Sequence, residues 1–327
     1  MKKLILLISI VFITHFISAQ VVDAEKTLRD QNIDTIHGWT TGGVVSINFS
    51  QTSLTNWASG GQNSIAANGI VSLYAGYKGE KNTWDNSLDI GYGMLRQGKD
   101  DLRKTDDKID LFSKYGREVS EHWFIAGVAS FKTQMTPGYN YPNDSVVISN
   151  LLAPAYTLVA VGMDYKPTKD LNLFVAPLTG KFTYVNDQTL ANAGAFGVEP
   201  AVYDDLGTLL TAGKKSRYEI GGYLRFAYKT EIWENVSLQT KLDLFSNYAH
   251  NPQNIDINWE ILLSMKVNKF INFTISTHLI YDDDIMIEVD RSGDGIIDGK
   301  GPRTQFKEVM AIGLSYKFHK APDKAEK

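Results

Sequence analysis

The chain has 327 residues, a net charge of −4 and no cysteine. Without cysteine it can hold neither a disulfide nor a lipid on an N-terminal Cys, which excludes a lipoprotein. The slightly acidic balance argues against nucleic acid as a partner. Aromatic residues make up 11% of the chain, although its mean hydropathy is slightly polar. That combination favours a β-barrel, in which every second strand residue meets lipid and the others meet a polar lumen.

Residues 1–19 predict a cleaved signal peptide. Lys2 and Lys3 form a short basic start, residues 4–17 are an almost unbroken apolar run, and a small-residue cleavage site follows at Ala19. The apolar run is shorter than the ~20 residues that a membrane-spanning helix needs. We therefore predict an exported chain whose residues 20–37 form an N-terminal segment in the periplasm.

Apolar side chains recur at every second position from residue 44 onward, as at Trp123, Ile125 and Phe131. A period of two is typical of β-strands with one polar and one apolar face. We predict twelve strands, at 44–50, 68–78, 83–95, 108–117, 123–134, 155–166, 172–184, 216–230, 236–248, 255–266, 271–281 and 306–318. Odd residues of 123–131, and even residues of 84–92 and 310–318, are expected to face outward.

The predicted connections alternate in length. Short turns fall near 79–82, 118–122, 167–171, 231–235 and 267–270, and longer loops at 51–67, 96–107, 135–154, 185–215 and 282–305, with one shorter loop near 249–254. Bacterial outer-membrane barrels have this alternation, with short periplasmic turns and long external loops. The predicted fold class is all-β: an antiparallel transmembrane β-barrel of about twelve strands over 38–318, followed by a polar tail at 319–327. A soluble all-β domain is the alternative, because alternation marks any one-sided sheet.

Aromatic placement gives a second indication of a membrane barrel. Trp84 and Tyr92 lie eight residues apart on one predicted outward face. Eight residues of a tilted strand rise roughly 20 Å, close to the ~25 Å apolar band between two aromatic girdles. The last strand ends in Tyr316 and Phe318, an aromatic signature of the kind that barrel-assembly machinery reads. The predicted partners are therefore outer-membrane lipid, this machinery and other outer-membrane proteins.

The predicted lumen face is charged and nearly balanced. Its acidic members are Asp85, Asp89, Asp110, Asp164, Glu219, Asp243 and Glu260, and its basic members are Lys114, Lys132, Lys181, Arg217, Arg225 and Lys241. These charges could line a polar pore or a binding cavity. They could equally form ion pairs that fill a narrow barrel, and we favour this second interpretation because buried charges must be paired. An open diffusion pore usually needs about 16 strands.

Residues 290–298 resemble the first nine positions of a calcium loop of the EF-hand type. The candidate metal ligands are Asp290, Ser292, Asp294, the carbonyl of Ile296, and Asp298. The twelfth position is Gly301, where a bidentate Glu is expected. A calcium site here should therefore be weak, with a Kd on the order of 10⁻⁴ to 10⁻³ M. The alternative is an acidic, glycine-rich loop that binds no metal.

Enzymatic motifs are weak, and we predict no catalytic residue. A barrel with a membrane-facing Ser/His pair would be similar to the outer-membrane phospholipase. Ser276 and His278 share a face, but the strand phase points that face into the lumen, and no His-x-Ser-x-x-Asn motif is present. A lone Ser beside a lumen His is more often a hydrogen-bonded structural pair.

A set of short motifs near both ends of the predicted barrel is distinctive. They are Gly38-Trp-Thr-Thr-Gly-Gly43, Asn56-Trp57, Gly60-Gly61, Tyr281-Asp-Asp-Asp-Ile285, Gly301-Pro302 and Gly313-Leu-Ser-Tyr-Lys-Phe318. With them the chain resembles, over about 38–318, an uncharacterised family of outer-membrane barrels from Bacteroidetes-type bacteria, a domain of unknown function. The resemblance implies a barrel in the outer membrane of a Gram-negative bacterium. It implies no activity, substrate or catalytic residue.

Three functions stay open at this point. The first is a narrow channel or transporter for small solutes. The second is a structural or assembly partner within an outer-membrane complex. The third and least expected is a membrane-embedded hydrolase.

Overall fold

The computed structural model describes residues 37–55, 61–141, 143–268, 271–289 and 299–320. Its elements in chain order are β1 (Gly38–Thr52), β2 (Ser64–Lys78), β3 (Asn82–Gln97), β4 (Arg103–Ser120), β5 (Trp123–Thr133), β6 (Gly138–Tyr139), β7 (Val147–Ser149), β8 (Ala155–Tyr165), β9 (Leu171–Tyr184), α1 (Gln188–Asn192), a 3-10 turn (Ala195–Gly197), β10 (Val202–Tyr203), β11 (Leu209–Thr211), β12 (Ser216–Trp233), β13 (Val236–Asn247), β14 (Ile255–Lys266), β15 (Ile271–Tyr281), β16 (Ile287–Val289), β17 (Gly299–Gly301) and β18 (Gln305–Lys320). The predicted signal peptide, the segment 20–36, the candidate calcium ligands and residues 321–327 lie outside these ranges.

Twelve of the described strands close into one antiparallel barrel. The strand order around the barrel is β1-β18-β15-β14-β13-β12-β9-β8-β5-β4-β3-β2. Closure is made by the first and last strands, with Val45 opposite Tyr316 and Ile47 opposite Leu314. The remaining described strands pair into three two-stranded sheets, β6–β7, β10–β11 and β16–β17. The predicted fold class is confirmed, and each barrel strand overlaps the stretch that alternation assigned to it.

The two rims of the barrel differ in the length of their connections. We call the rim with the connections 79–81, 121–122, 166–170, 234–235 and 267–270 the turn rim. The opposite rim, with the connections 53–63, 98–102, 134–154, 185–215, 248–254 and 282–304, is the loop rim. The loop predicted at 96–107 is reduced to 98–102, because β3 and β4 both extend beyond their predicted ends.

Alternation separates an apolar outer surface from a polar lumen. Ile47 and Ile312 are 64% and 68% exposed, whereas Ser46, which precedes Ile47 on β1, and Ser72 of β2 face inward and are buried. Exposed apolar residues recur outward at Ile125 and along β18 from residue 310 to 318, as predicted. Unsatisfied backbone groups are not tolerated in hydrocarbon, and a closed barrel leaves none between its strands. The outer surface is therefore suited to lipid.

Aromatic side chains gather at the turn rim. The Trp39 ring lies 5.7 Å from that of Trp84, and Trp123 lies 4.5 Å from Tyr165, between ring centroids. Such amphipathic rings are typical of the boundary between the apolar band and water. They mark the height at which the bilayer ends on this side.

Strand β9 contains Pro177, which has no N–H to give to a neighbouring strand. Both neighbouring strands shift their pairing register at this proline. Strand β8 pairs Val161 with Leu178 and then Met163 with Val175, and β12 shows a matching shift. A proline inside a sheet is expected at such a bulge. The bulge lies beside Phe174, which is fully buried in the lumen.

The one described α-helix lies in the loop 185–215 and not in the barrel wall. Asp187 caps α1 by accepting hydrogen bonds from the N–H groups of Thr189 (2.8 Å) and Leu190 (3.2 Å). Within the described ranges, no helix has the length and apolar character needed to cross a membrane.

Candidate functional site in the barrel lumen

The lumen contains a cavity of about 1280 Å³. At the turn rim its lining includes Glu121, His122 and Asp170, and at the loop rim it includes Asp282 and Lys307. One cavity thus reaches from one rim to the other. Its walls are charged because alternate residues of each strand point inward, away from the apolar outer surface.

At the turn-rim end, five polar side chains form a group of contacts that we call the turn-rim network. It consists of Asp85, Lys114, Asp164, Lys166 and Asn172. The Lys114 Nζ donates to Asp164 Oδ2 (2.9 Å) and to Asn172 Oδ1 (3.3 Å). The Lys166 Nζ lies 3.6 Å from Asp164 and 3.9 Å from Asp85. Two ammonium groups therefore face two carboxylates.

In the middle of the lumen, side chains reach across the barrel. The Arg225 guanidinium carbon lies 4.4 Å from the centroid of the Phe112 ring, although three strands separate β12 from β4. Arg225 Nε also lies 3.8 Å from Asp243, which accepts from the Tyr223 hydroxyl (2.7 Å). Further pairs at this level are Lys132 with Asp110 (3.3 Å) and Lys241 with Glu260 (3.2 Å). These bridges narrow the cavity.

At the loop-rim end, Lys181 and Arg217 face a larger number of carboxylates. We call this group the loop-rim network; it consists of Lys181, Arg217, Glu219, Asp256, Asp282 and Asp284. The Lys181 Nζ lies 2.8 Å from Asp256, 3.5 Å from Asp282 and 3.6 Å from Glu219. Arg217 contacts Glu219 (3.1 Å) and, more closely, Asp284. Two cationic side chains here contact four carboxylates.

An apolar cluster lies beside the charged groups. Phe174, Tyr223 and Phe245 pack with small residues of neighbouring strands, and Phe112 and Leu158 lie against them. Phe245 also lies under the Lys181 ammonium, 5.1 Å from the ring centroid. An aromatic face stabilises a cation that has lost part of its water.

The prediction that the lumen charges form ion pairs is confirmed for most of those named from the sequence. Asp89 accepts a hydrogen bond from the hydroxyl of Ser72. Sequence reasoning missed Lys166, Asp256, Asp282 and Asp284. Asp256 could have been found from its place on the polar face of a predicted strand, whereas Asp282 and Asp284 follow a strand end where no local pattern shows that they turn inward.

The loop 185–215 folds back over the loop-rim end of the cavity. Val185, Leu190, Ala191 and Val198 form a small buried core with Ala153 of the neighbouring loop, and Phe196 packs against it. Phe196 also lines the lumen cavity. The loop is therefore a packed structure with one aromatic side chain at the mouth of the lumen.

Three carboxylates at the loop rim lie close enough to suggest a metal site. One oxygen each of Asp256, Asp282 and Asp283 can be chosen so that all lie within 4.8 Å of one another. Lys181 already pairs with the first two of these residues, and the Asn254 amide donates to Asp283 (2.6 Å). The ammonium group supplies the positive charge that such a cluster needs.

Ser276 and His278 both line the cavity, as their strand phase predicted. The His278 Nε2 lies 2.8 Å from Asn258 Oδ1 on the adjacent strand. The pair thus faces the lumen and not the lipid.

Residues 49–139 match a family model described as "Protein of unknown function (DUF3078)". No curated protein matches the chain. The matched segment covers the first strands of the barrel and carries no assigned activity.

Several solved structures are similar in strand arrangement. The translocator domain of the autotransporter NalP from Neisseria meningitidis is 9% identical, with 90% of this chain and 93% of that chain covered and a TM-score of 0.37. An outer-membrane channel from Pseudomonas putida F1 is 12% identical, with 86% and 96% covered and a TM-score of 0.39. Outer membrane phospholipase A from Escherichia coli is 11% identical, with 88% and 96% covered and a TM-score of 0.32. These three proteins differ in function, and no functional conclusion about this chain follows from them.

Proposed function

We propose that the protein is an outer-membrane barrel that conducts small solutes through a narrow polar lumen. The observation that carries the proposal is the cavity of about 1280 Å³, which is lined by residues of both rims. A barrel whose lumen served only to hold the wall together would need no such continuous space. The charged lining keeps water in the cavity, because ionised groups lose several kcal/mol when they are removed from water.

The side-chain contacts across the lumen limit the size of the solute that can pass. Arg225 reaches Phe112 in the middle of the barrel, and Lys307 of β18 lies 3.7 Å from Asp106 of β4 near the loop rim. A permeating solute must pass beside these contacts. The proposed substrates are therefore inorganic ions and small polar molecules rather than oligosaccharides or peptides.

The proposed location is the outer membrane of a Gram-negative bacterium, reached through the predicted signal peptide. The apolar outer surface and the turn-rim aromatic girdle support membrane insertion. Short turns would then face the periplasm and long loops the exterior. The last strand carries Tyr316 and Phe318 outward, where assembly machinery could bind them during insertion.

Recordings from the refolded protein in planar bilayers test the channel proposal. We expect discrete current steps from the wild type and a larger step from Phe112→Ala, because that change removes the ring opposite Arg225. Phe306→Ala, which alters an exposed residue of β18, is the matched control and should conduct like the wild type. A Phe112→Ala step no larger than that of this control would contradict a lumen path.

A second function is favoured by one surface of the loop rim. The β10–β11 hairpin exposes Val202, Tyr203, Leu206, Leu209 and Leu210. Exposed apolar patches often mark protein contacts, so the hairpin supports a role as a partner within an outer-membrane complex. Leu206→Asp combined with Leu210→Asp should reduce the size of the native complex in membrane extracts while leaving the conductance unchanged.

The hydrolase remains the least favoured function, because the Ser276 and His278 pair is separated from lipid by the barrel wall. The weak calcium site at Asp290, Ser292, Asp294, Ile296 and Asp298 remains a proposal from the sequence. Its test is calorimetric titration of calcium into the wild type and into Asp294→Ala. Heat of binding should be measurable for the wild type and lost in the variant; equal heats would exclude the site.

A further inference from the structure

We propose that Phe196 and Arg217 form a gate at the loop-rim mouth of the lumen. Phe196 is the moving element and Arg217 is the latch that holds it over the cavity. This inference rests on the proposed conduction and concerns its regulation.

The segment that carries Phe196 has an unusual backbone. Gly194, Phe196 and Gly197 have φ values of 70°, 59° and 78°. Glycine adopts this left-handed region at little cost, but a bulky residue such as phenylalanine is uncommon there. Surrounding contacts must hold Phe196 in this conformation, so their removal should release it.

Arg217 supplies one set of those contacts from the barrel wall, beside the packing of Phe196 on the small core of the loop. Its Nη1 donates to the carbonyl oxygen of Gly197 (3.2 Å), the residue after Phe196. Its Nη2 contacts Glu219 (3.1 Å) on the same strand and Asp284 in the loop that follows β15. One guanidinium therefore ties the wall to two loops, and the planar group with five donors suits this role.

The close approach at Gly197 shows how tightly the latch is packed. A Cβ atom at this position would collide with Arg217 Nη1 and would lie 3.2 Å from the Cβ of Asp284. Glycine is therefore required for the latched arrangement.

The base of the loop does not depend on the latch. Val185, Leu190 and Val198 are buried in their own small core, and Asp187 caps α1 locally. Breaking the Arg217 contacts should therefore move the 194–197 segment between two glycines and leave the rest of the loop in place. The gate is local, with the buried core as its fixed base.

Gly197→Ala tests the gate, because the added Cβ atom would collide with Arg217 Nη1 and prevent the latched arrangement. Its open fraction in planar bilayers should exceed that of the wild type at unchanged step size. Gly207→Ala is the matched control, because it adds a Cβ atom to another glycine of the same loop with a φ of 80°, where no atom lies within 4 Å. The control should conduct like the wild type.

Arg217→Gln makes the corresponding change on the barrel wall, because it removes the guanidinium that forms the latch. Its open fraction should exceed that of the wild type at unchanged step size. If the wild type conducts and neither Gly197→Ala nor Arg217→Gln raises the open fraction, the gate is wrong and the channel stands. If the wild type is silent and Arg217→Gln conducts, both proposals hold. If the wild type, Arg217→Gln and Phe196→Ala are all silent although folded by circular dichroism, conduction and gate fail together.

Discussion

The two ends of the lumen differ in how their charged side chains are paired. In the turn-rim network, two lysines face two aspartates, and all of these groups lie on strands or on one short turn. In the loop-rim network, Lys181 and Arg217 serve four carboxylates, two of which belong to the loop after β15. The first network is balanced and anchored in the sheet, whereas the second has surplus negative charge and depends on a loop.

This difference indicates that the two ends of the barrel have different roles. A buried group with one irreplaceable partner makes the structure intolerant of change, since its loss leaves an unpaired charge. A group with several alternative partners tolerates the loss of one of them. We therefore expect the turn-rim end to determine stability and the loop-rim end to permit movement.

The largest effect should come from Asp164→Ala at the turn rim. Asp164 is 1% exposed, and its removal leaves Lys114 without its principal buried counter-ion. The free energy of unfolding should fall by about 4 kcal/mol, measured by urea denaturation of the folded protein in lipid. Lys169→Ala, on the adjacent turn and exposed, is the control and should leave the midpoint in place. A loss below about 1 kcal/mol for Asp164→Ala would mean that the turn-rim network does not determine the stability of the barrel.

Lys181→Met should have the next largest effect. The change leaves Glu219, Asp256 and Asp282 close together without their shared ammonium group. We expect a loss of about 2 kcal/mol at neutral pH. The loss should shrink in acid, because protonated carboxyl groups do not repel one another. Denaturation at both pH values checks this expectation, and an equal loss in acid would show that repulsion is not the cause.

Asp256→Ala should cost less, about 1 kcal/mol. Lys181 keeps Asp282 and Glu219 within 3.6 Å, so no buried charge is stranded. The same denaturation experiment gives the direct comparison with Asp164→Ala. Equal costs for the two aspartates would remove the proposed distinction between the rims.

The smallest effect is expected from Leu206→Ser in the β10–β11 hairpin. Leu206 is 91% exposed and belongs to neither network. The stability should change by less than about 0.5 kcal/mol. A larger loss would show that the loop rim stabilises the barrel through more than its charges.

The barrel itself was predictable because lipid and lumen impose opposite polarity on successive residues. Strand β13 was expected at 236–248 and spans Val236–Asn247. The pattern fails where the lipid ends. Strand β4 was expected to begin at residue 108 but begins at Arg103, in a stretch that is polar on both faces. Beyond the apolar band an outward residue has no need to be hydrophobic, so alternation disappears while pairing continues.

The lumen site was predictable only as a collection of charges. Lys181 and Asp256 lie on strands separated by two others, and their contact depends on the stagger of the whole barrel. No local pattern encodes that stagger. The position of Phe196 depends further on two glycines and on packing against a small core to which another loop contributes Ala153. Such contacts join different segments of the chain, and neither segment contains a local sequence pattern that predicts the contact.

The pairing of β1 with β18 also has a consequence for how the chain acquires its structure. The Ser46 hydroxyl bonds to the Leu314 carbonyl across 268 positions of sequence (3.4 Å). Closure therefore requires the last strand to be available, and contacts of such long range slow folding because the intervening chain must be ordered first. Before that step, β1 presents an unpaired edge, which is costly in hydrocarbon and open to pairing with another chain in water. The polypeptide must consequently be kept apart from its neighbours until its own C-terminal strand arrives.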